Sequence, residues 1–360
     1  MPSRNIVNII LLGPGKVGKT FLNILMKNIE HIENTYRISL KVTGVFSSER
    51  EITDSNGLAL SSLKKIIQGK KILRRATKPS NVHMLMNSGR PFILIDTTSS
   101  DNTAELILSA LKKGGFAVLS NKRPLCLNFD IYNNFLKSGA QRLFFETTVG
   151  AGLPVIETLK SLIETGDEII ELNGCLSGTL GFIFSQIESG MTFSGSILSA
   201  KKMGYTESDP REDLKGSDVA RKLLILSRLT GMHKEITDIN LQALYPEKMN
   251  ALTVDNFIKE ISIYDRIYKG KMTEAKKSGK TIRFIARIKG NKLSANLTMV
   301  KKSGDLGSLQ GPDNLIVIRT KRYFHHPLII KGPGAGLEVT AAGVLSDILK
   351  IIKIIKGGIS

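Results

Sequence analysis

Up to about residue 150 the chain alternates between short apolar runs rich in β-branched residues and longer stretches of helical periodicity. That alternation predicts a parallel sheet with crossover helices. Residues 6–12 (IVNIILL) read as the first strand, 17–29 as the helix behind it, and 40–46 (LKVTGVF) as the second strand. Helical patterns cover 58–68 and 80–87, the latter opening on Ser80, a candidate cap, after Pro79. Residues 92–96 (FILID) run into polar TTSS, the pattern of a buried strand whose carboxyl end meets a site. An amphipathic helix over 102–113 and strands at 116–119 and 143–146 complete this half.

Beyond about residue 155 helices dominate, over 155–165, 179–188, 194–203 and 217–229. Strand-like pieces follow at 282–288, 293–299 and 315–319, with Gly290-Asn291 between the first two as a hairpin signal. Gly332-Pro333-Gly334-Ala335-Gly336 then leads into a long final helix.

A length of 360 residues suits two domains, and 41% hydrophobic with 23% charged residues excludes a disordered chain. The charge is unusual: 51 Lys+Arg against 32 Asp+Glu leave +19, which points toward nucleic acid, a membrane surface or small anionic ligands. Cys126 and Cys175 lie too far apart for a disulfide framework or a zinc site, which fits a reduced, cytoplasmic compartment. The apolar run at 6–12 enters a glycine turn without a small-residue cleavage site, so a strand explains it better than a signal peptide. No apolar stretch approaches the ~18 residues of a membrane span. The tail LKIIKIIKGG from Leu349 suits either a membrane-surface helix or, as the preferred reading, a helix packed on the protein's own core.

Gly13-Pro14-Gly15-Lys16-Val17-Gly18 is a G-x-G-x-x-G placed after a strand and opening a helix. The first glycine permits the tight turn, the second lets a pyrophosphate approach the backbone, and the third lets helix and strand pack closely. The helix N-terminus adds N–H donors for phosphate. An ordinary strand-to-helix turn is the bland alternative, and the context favours dinucleotide binding. At the second strand's tip stand Ser47 and Ser48 with Arg50 close enough for a 2′-phosphate, so NADP is read ahead of NAD. A one-residue slip would instead put Glu49 there, as an NAD site wants.

The richest segment is 203–229, MGYTESDPREDLKGSDVARKLLILSRL, where Glu207, Asp209, Glu212, Asp213 and Asp218 precede an apolar-periodic helix. Asp218 and Lys222 share one helix face at i,i+4 spacing. A surface ion pair beside an acidic loop is one explanation. The other is a grip on an ammonium-bearing substrate, with the lysine handling a proton.

The stretch GYTESDPREDLKGSDVARK resembles the signature of homoserine dehydrogenases. The resemblance continues through GPGKVG, IDTTSS (95–100), SNKRPL (120–125), FETTVGAGLPVIETL (145–159), NGCLSGTLGFIF (173–184) and GPGAGLEVTAAGVLSDIL (332–349). Its central stretch is especially similar to the dehydrogenase half of the bifunctional aspartokinase–homoserine dehydrogenases. With no kinase-sized segment before it and no room for an ACT domain after it, a stand-alone enzyme is the expectation. The resemblance implies NAD(P)-dependent interconversion of L-homoserine and L-aspartate 4-semialdehyde, on the route to threonine and methionine. Residue by residue, Gly13, Gly15, Val17 and Gly18 match the cofactor turn, and Thr98 the threonine near the nicotinamide. Lys122 matches the first lysine of N-K-K, and Gly336 the glycine of the C-terminal G-A-G. Glu207, Asp213 and Asp218 match acids lining the substrate site, and Lys222 the proton donor. Glu146, Val149, Ala151 and Leu153 match positions that hold a structural monovalent cation (Na+ or K+) in relatives, three of them through backbone carbonyls. Two departures are Thr97, where some relatives carry Asn or Cys, and Asn121-Lys122-Arg123 in place of N-K-K.

Chemistry agrees with that implication. Aldehyde reduction develops charge on the carbonyl oxygen, and an ammonium aimed at it both stabilises and protonates it. Lys222 and Lys122 are the candidates. His325-His326 precede Pro327 without a third ligand nearby and read as a solvated pair, and Cys175 reads as a small core residue. Another amino-acid or semialdehyde oxidoreductase would keep this fold, and homoserine-dependent reduction with aspartate and malate as controls separates the two. A nucleic-acid-binding module would explain +19, but the chain lacks tryptophan and a recognition motif with interleaved aromatics.

The expected fold is α/β: a Rossmann-type doubly wound NAD(P)-binding domain over 1–149, rejoined by 332–360, with an α+β catalytic and dimerisation domain over 150–331. The expected assembly is a homodimer, with no nucleic-acid or membrane partner.

Overall fold

The computed structural model describes residues 5–75 and 80–357. The chain divides into two compact units, one of residues 1–152 and 336–360 and the other of 153–335.

The first unit is built on a seven-stranded sheet. In chain order it comprises β1 (Asn5–Leu12), α1 (Lys16–Tyr36), β2 (Ile38–Phe46), β3 (Arg50–Thr53), α2 (Leu60–Ile67), β4 (Arg74–Arg75), α3 (Ser80–Met86) and β5 (Phe92–Asp96). Then come α4 (Ala104–Lys112), β6 (Phe116–Leu119), α5 (Phe129–Gly139), β7 (Leu143–Phe144) and α6 (Thr147–Gly150). The strand order is β4-β3-β2-β1-β5-β6-β7. From β2 to β7 neighbouring strands are parallel, while β3 and β4 add an antiparallel edge. Continuous apolar runs mark strands covered on both faces, and Ile9, Ile10, Ile93, Leu94 and Ile95 are fully buried. One face of β1 (Val7, Ile9, Leu11) packs with Phe21, Leu22 and Leu25 of α1 and with Val344, Ile348 and Ile352 of the C-terminal helix Leu337–Gly357. The tail is therefore a core helix over its described length; Gly358 lies outside the described residues. So do Pro79, ahead of α3, and the side chain of the candidate cap Ser80.

The second unit carries a six-stranded sheet. Its elements include α7 (Val155–Glu164), β8 (Ile169–Cys175), α8 (Gly178–Glu188), α9 (Phe193–Lys202), α10 (Arg211–Leu214), α11 (Ser217–Leu229) and β9 (Ile239–Leu241). They continue with α12 (Val254–Glu260), α13 (Asp265–Lys277), β10 (Lys280–Lys289), β11 (Lys292–Lys301), α14 (Asp305–Ser308), β12 (Asp313–Thr320) and β13 (Leu328–Pro333). The order is β13-β12-β8-β10-β11-β9, antiparallel except for the β11–β9 pair. Lys289 opposes Lys292, so Gly290 and Asn291 form the two-residue turn, with Gly290 at φ +52 as such turns require. Arg283 on β10 is buried and donates to Glu188 at 2.6 Å and to the Gly307 and Leu309 carbonyls at 2.9 Å. A buried cation persists only when so paired.

Candidate active site

In the first unit the carboxyl ends of β1, β2 and β5 open into a cleft of about 1400 Å³, walled by Gly13, Gly15, Ser47, Arg50, Arg75 and Thr98 among others. Gly13 sits at φ +85, and its N–H donates to the Phe46 carbonyl at 2.8 Å. A Cβ there would meet the Thr98 main-chain nitrogen and Cγ2, each at 2.8 Å. Gly15 is different: it forms the N-cap of α1 at φ −76, and a Cβ would meet nothing within 4 Å. Gly18, in the first turn after Val17, lies against the Gly13 carbonyl, where no side chain fits. The first turn of α1 contains no acid, so its N–H donors and the helix dipole favour an anion.

Arg50 stands on β3 instead of in a loop. The Ser47 N–H donates to the Arg50 carbonyl at 2.7 Å, and the Arg50 N–H donates to Ser47 Oγ at 3.0 Å. Arg50 pairs with Arg75 in the ladder. Nothing in the sequence announces Arg75, because a two-residue charged strand has no periodicity. Thr97 anchors the glycine turn, its hydroxyl lying 2.6 Å from the Gly13 carbonyl and 3.0 Å from that of Leu12. Thr98 and the half-buried Lys122 follow the ends of β5 and β6, which are paired with Asp96 opposite Leu119.

Gly336, at φ +140, precedes the C-terminal helix, and its carbonyl accepts from the Thr340 N–H at 3.0 Å and hydroxyl at 2.6 Å. Glu146 is buried, its N–H donating to Asp347 at 3.2 Å and its carboxylate 3.8 Å from the Lys350 ammonium. Val149 ends within α6, and Ala151 takes φ +53, a conformation that costs a residue with a Cβ ~1–3 kcal/mol. Leu153 opens the other unit.

In the second unit Lys222 lies on α11, 7% exposed. Its ammonium donates to the Leu176 carbonyl at 2.7 Å and stands 3.2 Å from Asp218. Asp213 accepts from the Thr179 hydroxyl and from the Glu207 N–H, each at 2.9 Å. Burial raises the Asp213 carboxyl above its ordinary range, against those hydrogen bonds, and the charges of Glu207 and Asp218 raise it further. The Thr179 hydroxyl also lies 2.5 Å from the Tyr205 carbonyl. Glu207, Asp213, Asp218 and Lys222 are thus linked through neighbouring elements of one unit.

The other acids of the segment are committed elsewhere. Asp209 pairs with buried Arg211 at 2.7 Å, and Arg211 also donates to the Met249, Asn250 and Leu252 carbonyls at 2.7–3.2 Å. Glu212 faces Lys215 at 3.4 Å. Arg211 therefore ties down the loop that carries Glu207, a duty no spacing in the sequence announces. His325 and His326 are exposed, and no group of three or more metal-ligating side chains occurs among the described residues. Burial pushes the Cys175 thiol up to about 12, as befits an inert core residue.

The family model described as "Homoserine dehydrogenase" matches residues 154–349, and that described as "Homoserine dehydrogenase, NAD binding domain" matches 13–145. A bifunctional aspartokinase/homoserine dehydrogenase from Zea mays is 35% identical over 97% of the chain, which spans only 39% of that protein's length. A homoserine dehydrogenase from Schizosaccharomyces pombe is 36% identical, with 97% of this chain and 96% of that one covered. A crystal structure of a Candida auris protein of unknown function superposes with a TM-score of 0.88 at 30% identity, covering 97% of this chain and 98% of that one.

Proposed function

The chain belongs to the homoserine dehydrogenase family, and from that membership we propose that it interconverts L-homoserine and L-aspartate 4-semialdehyde with NADP or NAD. The observation that carries the reading is the Lys222 ammonium, fixed by the Leu176 carbonyl and Asp218 in the unit that also holds Asp213 and Glu207. Bound NADP or NAD supplies the hydride acceptor or donor. The glycine turn and the α1 N-terminus receive the pyrophosphate, with Val17 and Gly18 shaping the turn behind it. Arg50 at the β3 edge favours the 2′-phosphate of NADP. Thr98, Lys122 and Gly336 serve the nicotinamide end.

Glu207, Asp213 and Asp218 bind the substrate ammonium, a charge-assisted contact worth more than a neutral hydrogen bond. In reduction the Lys222 ammonium gives a proton to the oxygen and is left as the amine; in oxidation that neutral amine takes the hydroxyl proton of homoserine and becomes the ammonium again. Asp218 and the Leu176 carbonyl together set the direction of the Lys222 Nζ. Lys122 adds positive charge where negative charge develops on oxygen. Glu146, Val149, Ala151 and Leu153 hold a structural monovalent cation, three of them through main-chain carbonyls, a reading that the family resemblance supports. The enzyme works as a homodimer in the cytoplasm, in the formation of threonine and methionine; the family resemblance and two free cysteines support this. No helix among the described residues is long and apolar enough to cross a membrane.

The test is a set of initial rates with homoserine, aspartate and malate against NADP and NAD. Homoserine alone should support formation of reduced nicotinamide, faster with NADP at low cofactor concentration. Equal rates with malate would assign the fold to another substrate.

A further inference from the structure

The apolar strand β5 ends on a carboxylate that is completely buried, Asp96. A buried charge is costly unless its oxygens are hydrogen-bonded, and here the donors come from two loops. Asp96 Oδ1 accepts from the Thr98 N–H at 2.9 Å. Oδ2 accepts from the Thr103 hydroxyl at 2.6 Å and from the Asn121 amide at 3.0 Å. The Asp96 carbonyl accepts in addition from the Ser120 and Asn121 N–H groups, at 2.9 and 3.2 Å. Asn121 extends the lock, its amide lying 2.7 Å from the Ser100 carbonyl and 3.1 Å from the Thr98 hydroxyl. Its Oδ1 accepts from the Arg123 N–H at 3.1 Å. Asn121, which precedes Lys122, thus bonds through its side chain to Arg123, which follows it, closing a local turn around Lys122.

We propose that Asp96 is a positioning residue of the reaction, setting through Asn121 the places of Thr98 and Lys122 at the nicotinamide end of the cleft. The inference rests on the reading of Lys122 given above. Asparagine at position 96 keeps the shape but replaces one acceptor by a donor, which must face either the Thr98 N–H or the Asn121 amide. The loops then shift, and a displacement of about 1 Å at reacting groups costs roughly 10²-fold in rate.

The experiment is a double-mutant cycle on the full chain: Asp96→Asn, Lys122→Ala and their combination, with kcat, both KM values and thermal midpoint measured for each. Asp96→Asn should lower kcat by roughly 10²-fold with homoserine KM nearly unchanged. In the Lys122→Ala background it should remove less than about twofold more, because groups acting through one another are not additive. Full multiplication of the two losses, or a lower midpoint with parental kcat, overturns the proposal while leaving Lys122 in place. Parental turnover in Lys122→Ala overturns the reading of Lys122 and the proposal with it. Should Asp96→Asn fail to fold, Asn121→Ser replaces it in the same cycle, with the same outcomes deciding.

Discussion

The cleft of the first unit and the acid cluster of the second are built by opposite means. In the cleft the working groups are main-chain N–H donors and hydroxyls, and shape is set by what is missing: side chains at Gly13 and Gly18. Charge stands at its edge, on Arg50 and Arg75. In the cluster the polar groups are acidic and basic side chains, and the main chain supplies restraint, through the Leu176 carbonyl on Lys222 and the Glu207 N–H on Asp213. The cleft should therefore be sensitive to added atoms and insensitive to pH. The cluster should show the reverse.

The largest expected effect lies in the cluster. Lys222→Ala should lower turnover by at least ~10²-fold, the low end for general acid–base catalysis, with unchanged affinity for NADPH by fluorescence titration. Lys122→Ala should lose a similar factor from the other unit. Near-parental turnover in either would take that lysine out of the mechanism.

Next comes a contrast within the cleft. Gly13→Ala forces a Cβ into Thr98 at positive φ, a strain of ~1–3 kcal/mol, so stability and cofactor affinity should both fall. Gly15→Ala meets no atom, so its thermal midpoint should hold while cofactor affinity weakens. Normal binding in Gly15→Ala would break the idea that phosphate approaches the backbone there.

Asp213 supplies the pH test. Its folded-state carboxyl is raised, so between the ordinary carboxylate value and the raised one the folded chain holds a proton that the unfolded chain has lost. Stability must then fall as pH rises through that window, and it is fully present below it. Asp213→Asn should lack that fall in urea unfolding measured across pH. Homoserine binding runs the other way, because it needs the carboxylate, so the parental KM should rise as pH drops through the window. Asp213→Asn should raise homoserine KM about tenfold, as losing a charged hydrogen bond of ~1.5 kcal/mol implies, and flatten its acid limb. A sloping limb in Asp213→Asn would assign the titration elsewhere.

The smallest effect belongs to the cleft's edge. Arg50→Ala should raise the KM for NADP several-fold, the loss expected from one exposed charge contact of under ~1 kcal/mol, and leave that for NAD unchanged. Equal change in both would place Arg50 away from the 2′-phosphate.

The two regions also differ in how far the sequence exposes them. Strands β1 and β5 are continuous apolar runs, and the Gly13–Gly18 turn is a local motif, so chain order alone assembles most of the cleft. Its edge escapes notice because β3 and β4 are short and charged, with no period to detect. Strands β8 and β13 escape it through the Asn, Gly and Pro within them. In the cluster five acids look equivalent along the chain. Only folding commits Asp209 to Arg211 and Glu212 to Lys215, while the Glu207 N–H donates to Asp213 and Asp218 pairs with Lys222. Asp96 and Asn121 stay silent for the same reason, since their partnership depends on the pairing of β5 with β6.

The central claim is that the chain transfers hydride between NADPH and aspartate 4-semialdehyde, with Lys222 moving the proton. It is tested most directly by single-turnover reduction of aspartate 4-semialdehyde with NADPH carrying deuterium at the transferred position. The account predicts homoserine labelled at its hydroxymethyl carbon, formed at least ~10²-fold more slowly by Lys222→Ala. Unlabelled product, or the same rate in both proteins, would contradict it.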